Sequence, residues 1–306
     1  MILKPTTQLI SETPQVRTFA DVLAHSSGSA AGFSVNSEFL SCPEKSRLKH
    51  AGIRFKGYKA KGSAIDPEFE LSALEFGTLI HELARFRVWY GPDAAMQLLE
   101  IWRPELGASH VKAALMLATY EQTFPYATEP LRFLGVECEV VTNIRMGDRD
   151  PRPCFRSVRY DGIVLAGIGE VRELYSLERK TMSRGGPSAL HAYYSQGMVQ
   201  VAMWNSNAEL VAQYGKMRGV IYEPWLKTKN PTCDRVPVYF SPEQETLARD
   251  YMRLAENGGV SFRQKEDGTY PKMLHSCWGR YSPCDYISLC HEGVTGDYTI
   301  NGEELR

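Results

Sequence analysis

Glu178 and Lys180 lie two apart in Leu177-Glu178-Arg179-Lys180-Thr181, inside a stretch with period-two alternation. On a strand, residues i and i+2 face the same side, so carboxylate and ammonium converge on one point while the Arg179 side chain points away. Asp161, in Arg159-Tyr160-Asp161-Gly162, belongs to the preceding strand-like segment, and across a hairpin it can reach that point. His81 adds an imidazole from a helical segment, in Gly77-Thr78-Leu79-Ile80-His81. Acidic and imidazole ligands hold Mg²⁺ or Mn²⁺, and a cationic group beside the attacking water or the scissile phosphate completes what phosphodiester hydrolysis requires. Each residue has a plainer reading on its own: an ion-paired strand face for Glu-x-Lys, a hydrogen-bonded core histidine for His81, turn chemistry for Asp161-Gly162. The argument rests on their order and spacing.

The elements that must position them follow from periodicity. Apolar residues at helical spacing run from Ser72 to a stop at Gly91-Pro92, and a second helical stretch covers about 94–123, broken at Arg103-Pro104 and Gly107. The period then becomes two. Residues 136–146, 155–166 and 170–181 read as three successive strands forming an antiparallel meander, with Gly167 and Gly169 at the last turn. A helix over 188–207, strands over 216–226 and 235–240, and a helix over about 242–256 complete the order. Glu137 and Glu139 fall on the first strand, where the pattern gives Glu137 at most a supporting role.

Composition bounds the answer more loosely. The chain has 306 residues, 43% hydrophobic, enough for a sizeable core. Lys plus Arg is 35 against 36 Asp plus Glu, so any surface for a polyanion must be local. Such clusters occur at Arg54, Lys56, Lys59 and Lys61, at Arg145, Arg149, Arg152, Arg156 and Arg159, and at Lys216, Arg218, Lys227 and Lys229. Tyr193, Tyr194 and Trp204 are candidate base-stacking residues, although aromatics at helical spacing are more commonly core. No long apolar span or secretory leader pattern is present, which points to a cytoplasmic protein without membrane partners. The seven cysteines are odd in number, which disfavours a disulfide framework. Cys277, Cys284 and Cys290 cluster in HSCWGRYSPCDYISLCH, whereas Cys138, Cys154 and Cys233 have no partner at ligand spacing.

The constellation resembles the PD-(D/E)XK nucleases, specifically the branch that includes RecB, AddB and the iron–sulfur nuclease of CRISPR adaptation. Gly77-x-x-x-His81, Asp161, Glu178-x-Lys180 and a following helix with a glutamine match that family's pattern; Gln196 and Gln200 are rival matches for the last position, with Trp204 where Gln-x-x-x-Tyr would place a tyrosine. The resemblance implies an α/β, restriction-endonuclease-like core: a mixed central sheet flanked by helices. It implies that His81, Asp161 and Glu178 ligate Mg²⁺ or Mn²⁺, with the backbone carbonyl of Arg179 as a further ligand. Lys180 would orient or help deprotonate the nucleophilic water, and Gln196 or Gln200 would position the substrate or the lysine.

It also implies a [4Fe–4S] cluster on Cys42, Cys277, Cys284 and Cys290, joining the N- and C-terminal segments as a clasp; Cys42-Pro43 matches the motif that carries the first ligand. Zinc held by the three clustered thiols with His275 or His291 is the alternative. Residues 1–33 then form an N-terminal extension or loosely packed arm, 34–291 the nuclease domain and 292–306 a tail. The expected activity is metal-dependent cleavage of DNA, exonucleolytic on single strands or duplex ends, in recombination, repair, replication or spacer acquisition. No helicase P-loop motif occurs, so a motor would come from a partner such as a helicase, recombinase or other DNA-processing protein. A non-catalytic iron–sulfur or zinc scaffold that binds DNA is the competing class.

Overall fold

The computed structural model describes residues 6–11, 13–25, 48, 53–55, 70–144, 155–168, 171–183, 190, 193–261, 298–300 and 303–304. Three antiparallel strands form its spine: β2 (Arg132–Asn143), β3 (Phe155–Ile168) and β4 (Val171–Met182). The meander expected from the period-two alternation is therefore present. Helices α5 (Tyr194–Asn205) and α6 (Ala208–Tyr214) then connect β4 to β5 (Met217–Leu226), which pairs with β4 in parallel. The far edge of β5 takes two short antiparallel strands, β6 (Thr232–Cys233) and β7 (Val236–Tyr239). The result is an α/β fold with a mixed central sheet flanked by helices.

One face of the sheet carries α5 and the middle of α7 (Pro242–Ser261), which contributes Ala248 and Met252, and buries Val140, Tyr160, Ile163, Val201, Trp204 and Tyr222. A second core lies among α1 (Phe19–His25), α2 (Ala73–Tyr90), α3 (Pro92–Leu106) and α4 (Ser109–Thr123), and takes in Trp225 of β5. Helix α2 begins with a reciprocal cap: the Ser72 hydroxyl accepts from the Glu75 amide, and the Glu75 carboxylate accepts from the Ser72 amide. The helical pattern over 94–123 breaks only at Gly107. Pro104 sits in the last turn of α3, where its missing N–H removes one helical bond. Within the helix expected over 188–207, Tyr194–Asn205 is helical and Leu190 is too, while Asn207 caps a separate helix, accepting from Leu210 N at 3.1 Å.

The described part of the N-terminal arm is packed rather than loose. Thr6 runs beside the free edge of β2, donating its N–H to Val141 O at 2.8 Å while its hydroxyl accepts from Val141 N at 2.8 Å. Ser11 accepts from Val136 N at 3.0 Å, Trp102 Nε1 donates to Arg17 O at 2.6 Å, and Phe19 packs on Trp102 with ring centres 5.4 Å apart. The arm thus covers a strand edge that would otherwise present unpaired amides, and ties it to the helical layer. At the chain ends, β1 (Ile53–Phe55) pairs antiparallel with β8 (Tyr298–Ile300), which pairs with β9 (Glu303–Glu304). Among the described residues, no helix is long and apolar enough to cross a membrane.

Helix α5 approaches the sheet closely because residue 197 is glycine. A Cβ there would stand 2.2 Å from the Tyr222 hydroxyl, which is itself fixed by donating to Tyr193 O at 2.8 Å. Gly197→Ala is expected to push α5 off the sheet and destabilise the fold by about 1–3 kcal/mol, measured by urea denaturation; wild-type stability would contradict this packing.

Candidate metal centre

The β3–β4 ladder ends at Gly162↔Leu177. Gly162 is held against the next strand, since a Cβ on it would lie 3.1 Å from Leu177 Cβ. Beyond that pair the strands part, and the Asp161 side chain takes the place of a strand partner: its Oδ2 accepts from Arg179 N at 2.7 Å. The other oxygen, Oδ1, faces His81 Nδ1 at 3.5 Å. Glu137 lies on β2 between the pairs Val136↔Gly162 and Cys138↔Tyr160, which puts it opposite Asp161. Its backbone has φ 52°, in the left-handed region, two residues beyond the register shift between Phe133 and Gly135, and local irregularity of this kind re-aims a side chain. Glu137 Oε1 comes within 3.7 Å of His81 Nδ1.

His81, Glu137 and Asp161 each offer one ligand atom, and the three atoms lie within 4.8 Å of one another. Ligands about 2.1 Å from a shared octahedral ion stand about 3–4.2 Å apart, so modest contraction would enclose one. A second observation points the same way. The Glu137 side chain is only 9% exposed, and while Oε2 accepts from Arg159 Nε at 3.0 Å, Oε1 has no hydrogen-bond partner. A buried carboxylate oxygen without a partner is costly, and a cation at this point would satisfy it. Burial alone would lower the His81 pKa, but the negative charges of Asp161 and Glu137 beside it outweigh burial and raise it to about 10. Asp161 goes the other way: burial opposes ionisation, yet His81, Lys180 and the Arg179 amide hold it well below the ordinary carboxylate range.

Glu178, expected as a ligand from the sequence, stands outside this group of three. It is buried and fully engaged by neighbours. Oε1 is ion-paired with Lys180 and accepts from Gln196 Nε2 at 2.7 Å, and Oε2 accepts from Gln200 Nε2 at 2.6 Å. The two glutamines that compete on sequence grounds thus both reach the same carboxylate, one helical turn apart on α5. Gln196 Oε1 also accepts from Lys180 Nζ at 3.3 Å, while Gln200 Oε1 accepts from the buried Ser176 hydroxyl at 2.8 Å. Burial and the neighbouring Asp161 raise the Glu178 pKa against the pull of Lys180. Lys180, despite its burial, has a raised pKa because Glu178 and Asp161 hold its charge. Arg179 contributes its amide to Asp161 and sends its guanidinium to the opposite face of the sheet, where it donates from Nε to Glu223 Oε2 at 3.0 Å.

Other expected residues resolve differently. Trp204 is fully buried and donates to Gly215 O at 2.9 Å, so it is core and cannot stack on a base. Tyr194 stacks on Tyr222, and Tyr193 lies with its ring centre 5.0 Å from Lys180 Nζ. Arg159 serves Glu137, and Arg218 pairs with Glu173 at 3.0 Å. Lys56, Lys59, Lys61, Arg145, Arg149 and Arg152 lie outside the described residues, as do Cys42, Cys154, Cys277, Cys284, Cys290, His275 and His291. Cys138 and Cys233 are buried free thiols, the latter pushed up to about 12 by burial.

No family model matches the chain, and no curated protein does. Among solved structures, one titled "Crystal structure of SSO0001" aligns at TM-score 0.32 and 14% identity, covering 71% of this chain and 85% of that one. A score that low bears on neither fold nor chemistry.

The geometry predicts that Mn²⁺ added to the full chain binds in the group of three. By isothermal titration calorimetry, His81→Ala and Glu137→Gln should each weaken that binding by at least the 10–100-fold typical of losing even an orienting partner. Unchanged affinity in either variant would place the ion elsewhere.

Proposed function

We propose that this chain is a divalent-metal-dependent DNA nuclease with a restriction-endonuclease-like core. The observation that carries the reading is the meeting of His81, Glu137 and Asp161 around a buried Glu137 oxygen that accepts no hydrogen bond and lies 3.7 Å from His81 Nδ1, with a charged lysine anchored nearby. Mg²⁺ or Mn²⁺ held there would supply Lewis acidity toward a phosphate oxygen and lower the pKa of a bound water. The protein's own part is then electrostatic and geometric. Asp161 is held ionised and aimed by the Arg179 amide, so its free oxygen is available as a ligand. Lys180 keeps its proton, which suits it to stabilise charge developing on a phosphate rather than to act as a base. Gln196 and Gln200 hold Glu178, and through it Lys180, in a fixed direction. A DNA substrate, single-stranded or at duplex ends and degraded from the end, follows from the resemblance of the His81, Asp161 and Glu178-x-Lys180 pattern. The same resemblance places the activity in recombination, repair, replication or spacer acquisition, beside a helicase or recombinase partner.

The iron–sulfur clasp belongs to this proposal. Its support is that a segment near the N-terminus and one near the C-terminus are neighbours: β1 pairs antiparallel with β8, Ile53 with Ile300 and Phe55 with Tyr298. Four thiolates brought together from the two ends would suit a cubane cluster.

Digestion of end-labelled single- and double-stranded DNA in Mg²⁺ or Mn²⁺ tests the activity. Wild type should cleave, while Asp161→Ala and Lys180→Ala should keep their circular dichroism spectra and lose cleavage by more than about 100-fold; a wild type without cleavage, or variants that cleave normally, would reject the reading. Anaerobic purification tests the clasp separately. About four iron per chain are expected, with Cys284→Ala losing both iron and solubility, whereas stoichiometric zinc would replace the clasp with a zinc site.

A further inference from the structure

We infer that Glu223 is a positioning residue for the metal centre: by holding the Arg179 guanidinium under the α2–α4 helices, it fixes the piece of β4 whose amide orients Asp161. The inference rests on reading His81, Glu137 and Asp161 as metal ligands. Glu223 stands beside Arg179 in the parallel register of β4 and β5, and both side chains are buried. One Glu223 oxygen accepts from Arg179 Nε at 3.0 Å; the other accepts from the Tyr120 hydroxyl and from Arg235 Nε, each at 2.8 Å. Arg235 in turn grips both oxygens of Glu129, at 2.6 and 3.0 Å, and Glu129 Oε2 lies 3.7 Å from Arg87 Nη1. Arg87 Nε donates to Glu121 at 2.8 Å. Guanidinium and carboxylate groups therefore alternate in a row from the partly exposed Glu121 to Arg179, the residue whose amide holds Asp161.

A row of this kind is weak as a stabilising device. Buried ion pairs replaced by well-packed apolar residues leave stability unchanged or improved, and Arg179 additionally leaves Nη1 buried without a hydrogen bond. What charged, directional bonds do provide is a fixed geometry. Arg179 is the residue where this matters, because its side chain is clamped on one face of the sheet while its amide, in the plane of the sheet, points at Asp161. With Nε clamped by Glu223, the Arg179 backbone has little freedom to rotate, and the N–H bonded to Asp161 Oδ2 keeps its direction. Burial would favour neutral Glu223, but Arg179 and Arg235 hold it ionised below the ordinary carboxylate range, so the clamp stays charged. The partner of a metal ligand usually changes metal affinity by 10–100-fold when lost, and here the partner is itself positioned by Glu223.

Electron paramagnetic resonance of Mn²⁺ titrated into the full-length protein separates positioning from stability. Replacing the pair together, Arg179→Met with Glu223→Leu, should leave the melting temperature within a few degrees of wild type. Mn²⁺ affinity should fall about 10–100-fold with an altered zero-field splitting. Arg179→Lys, which keeps the buried charge but not the rigid fork, should fall between the two, and it serves as the test if the double variant does not fold. Wild-type affinity and an unchanged spectrum in a folded variant would overturn the role of Glu223 while leaving the metal centre standing. A wild-type chain that binds no Mn²⁺ would overturn both.

Discussion

The interaction on which the site depends is the hydrogen bond from the Arg179 amide to the Asp161 carboxylate. A strand amide that loses its ladder partner must find another acceptor or carry an unsatisfied group. Here β3 leaves β4 after Gly162↔Leu177, and the first residue of β3 beyond that pair supplies the acceptor from its side chain. The same bond fixes Asp161, a proposed metal ligand, at the opening of the sheet. His81 arrives from α2 above the gap, Glu137 from β2 beside it, and the α5 glutamines close the opposite face.

Three carboxylates gathered in one partly buried volume repel one another, and the structure distributes them by giving each a different partner. Asp161 faces His81 and an amide, Glu137 faces Arg159 and His81, and Glu178 is matched by Lys180 and two amide side chains. The consequences diverge accordingly: Asp161 is pulled down in pKa while Glu178 is pushed up. The difference explains why Glu178 reads better as the anchor of Lys180 than as an equal member of the ligand set. A carboxylate saturated by two amide donors and an ammonium has less to gain from a cation than Glu137, whose Oε1 is buried and accepts no hydrogen bond.

Much of this arrangement is legible in the sequence because it rests on local periodicity. Glu178 and Lys180 share a face because they are two apart on β4, and His81 and both glutamines lie on segments whose helical spacing is plain. Gln196 and Gln200 look like rivals only while the helix is considered alone; at a spacing of four they occupy one face, and both meet Glu178. Glu137 is harder to see. Strict alternation from Glu139 makes it an exposed acid at a strand start, and only the positive φ and register shift turn it toward His81. Glu223 is harder still, because an acid inside the apolar run of β5 carries no sign of Arg179, which reaches it from β4, or of Arg235, which reaches it from the link between β6 and β7. The Pro104 break and the loose N-terminal arm are misread for a related reason: tertiary contacts, such as Trp102 with Arg17, decide both regions.

The central claim, that His81, Glu137 and Asp161 share one cation, is tested most directly by anomalous diffraction at the manganese edge from crystals of the full chain grown with Mn²⁺. The account predicts a single peak within about 2.6 Å of an atom from each of the three side chains, with Glu178 still held by Gln196, Gln200 and Lys180. A peak bound by Glu178 in place of Glu137, or an absence of density between β2, β3 and α2, would contradict it.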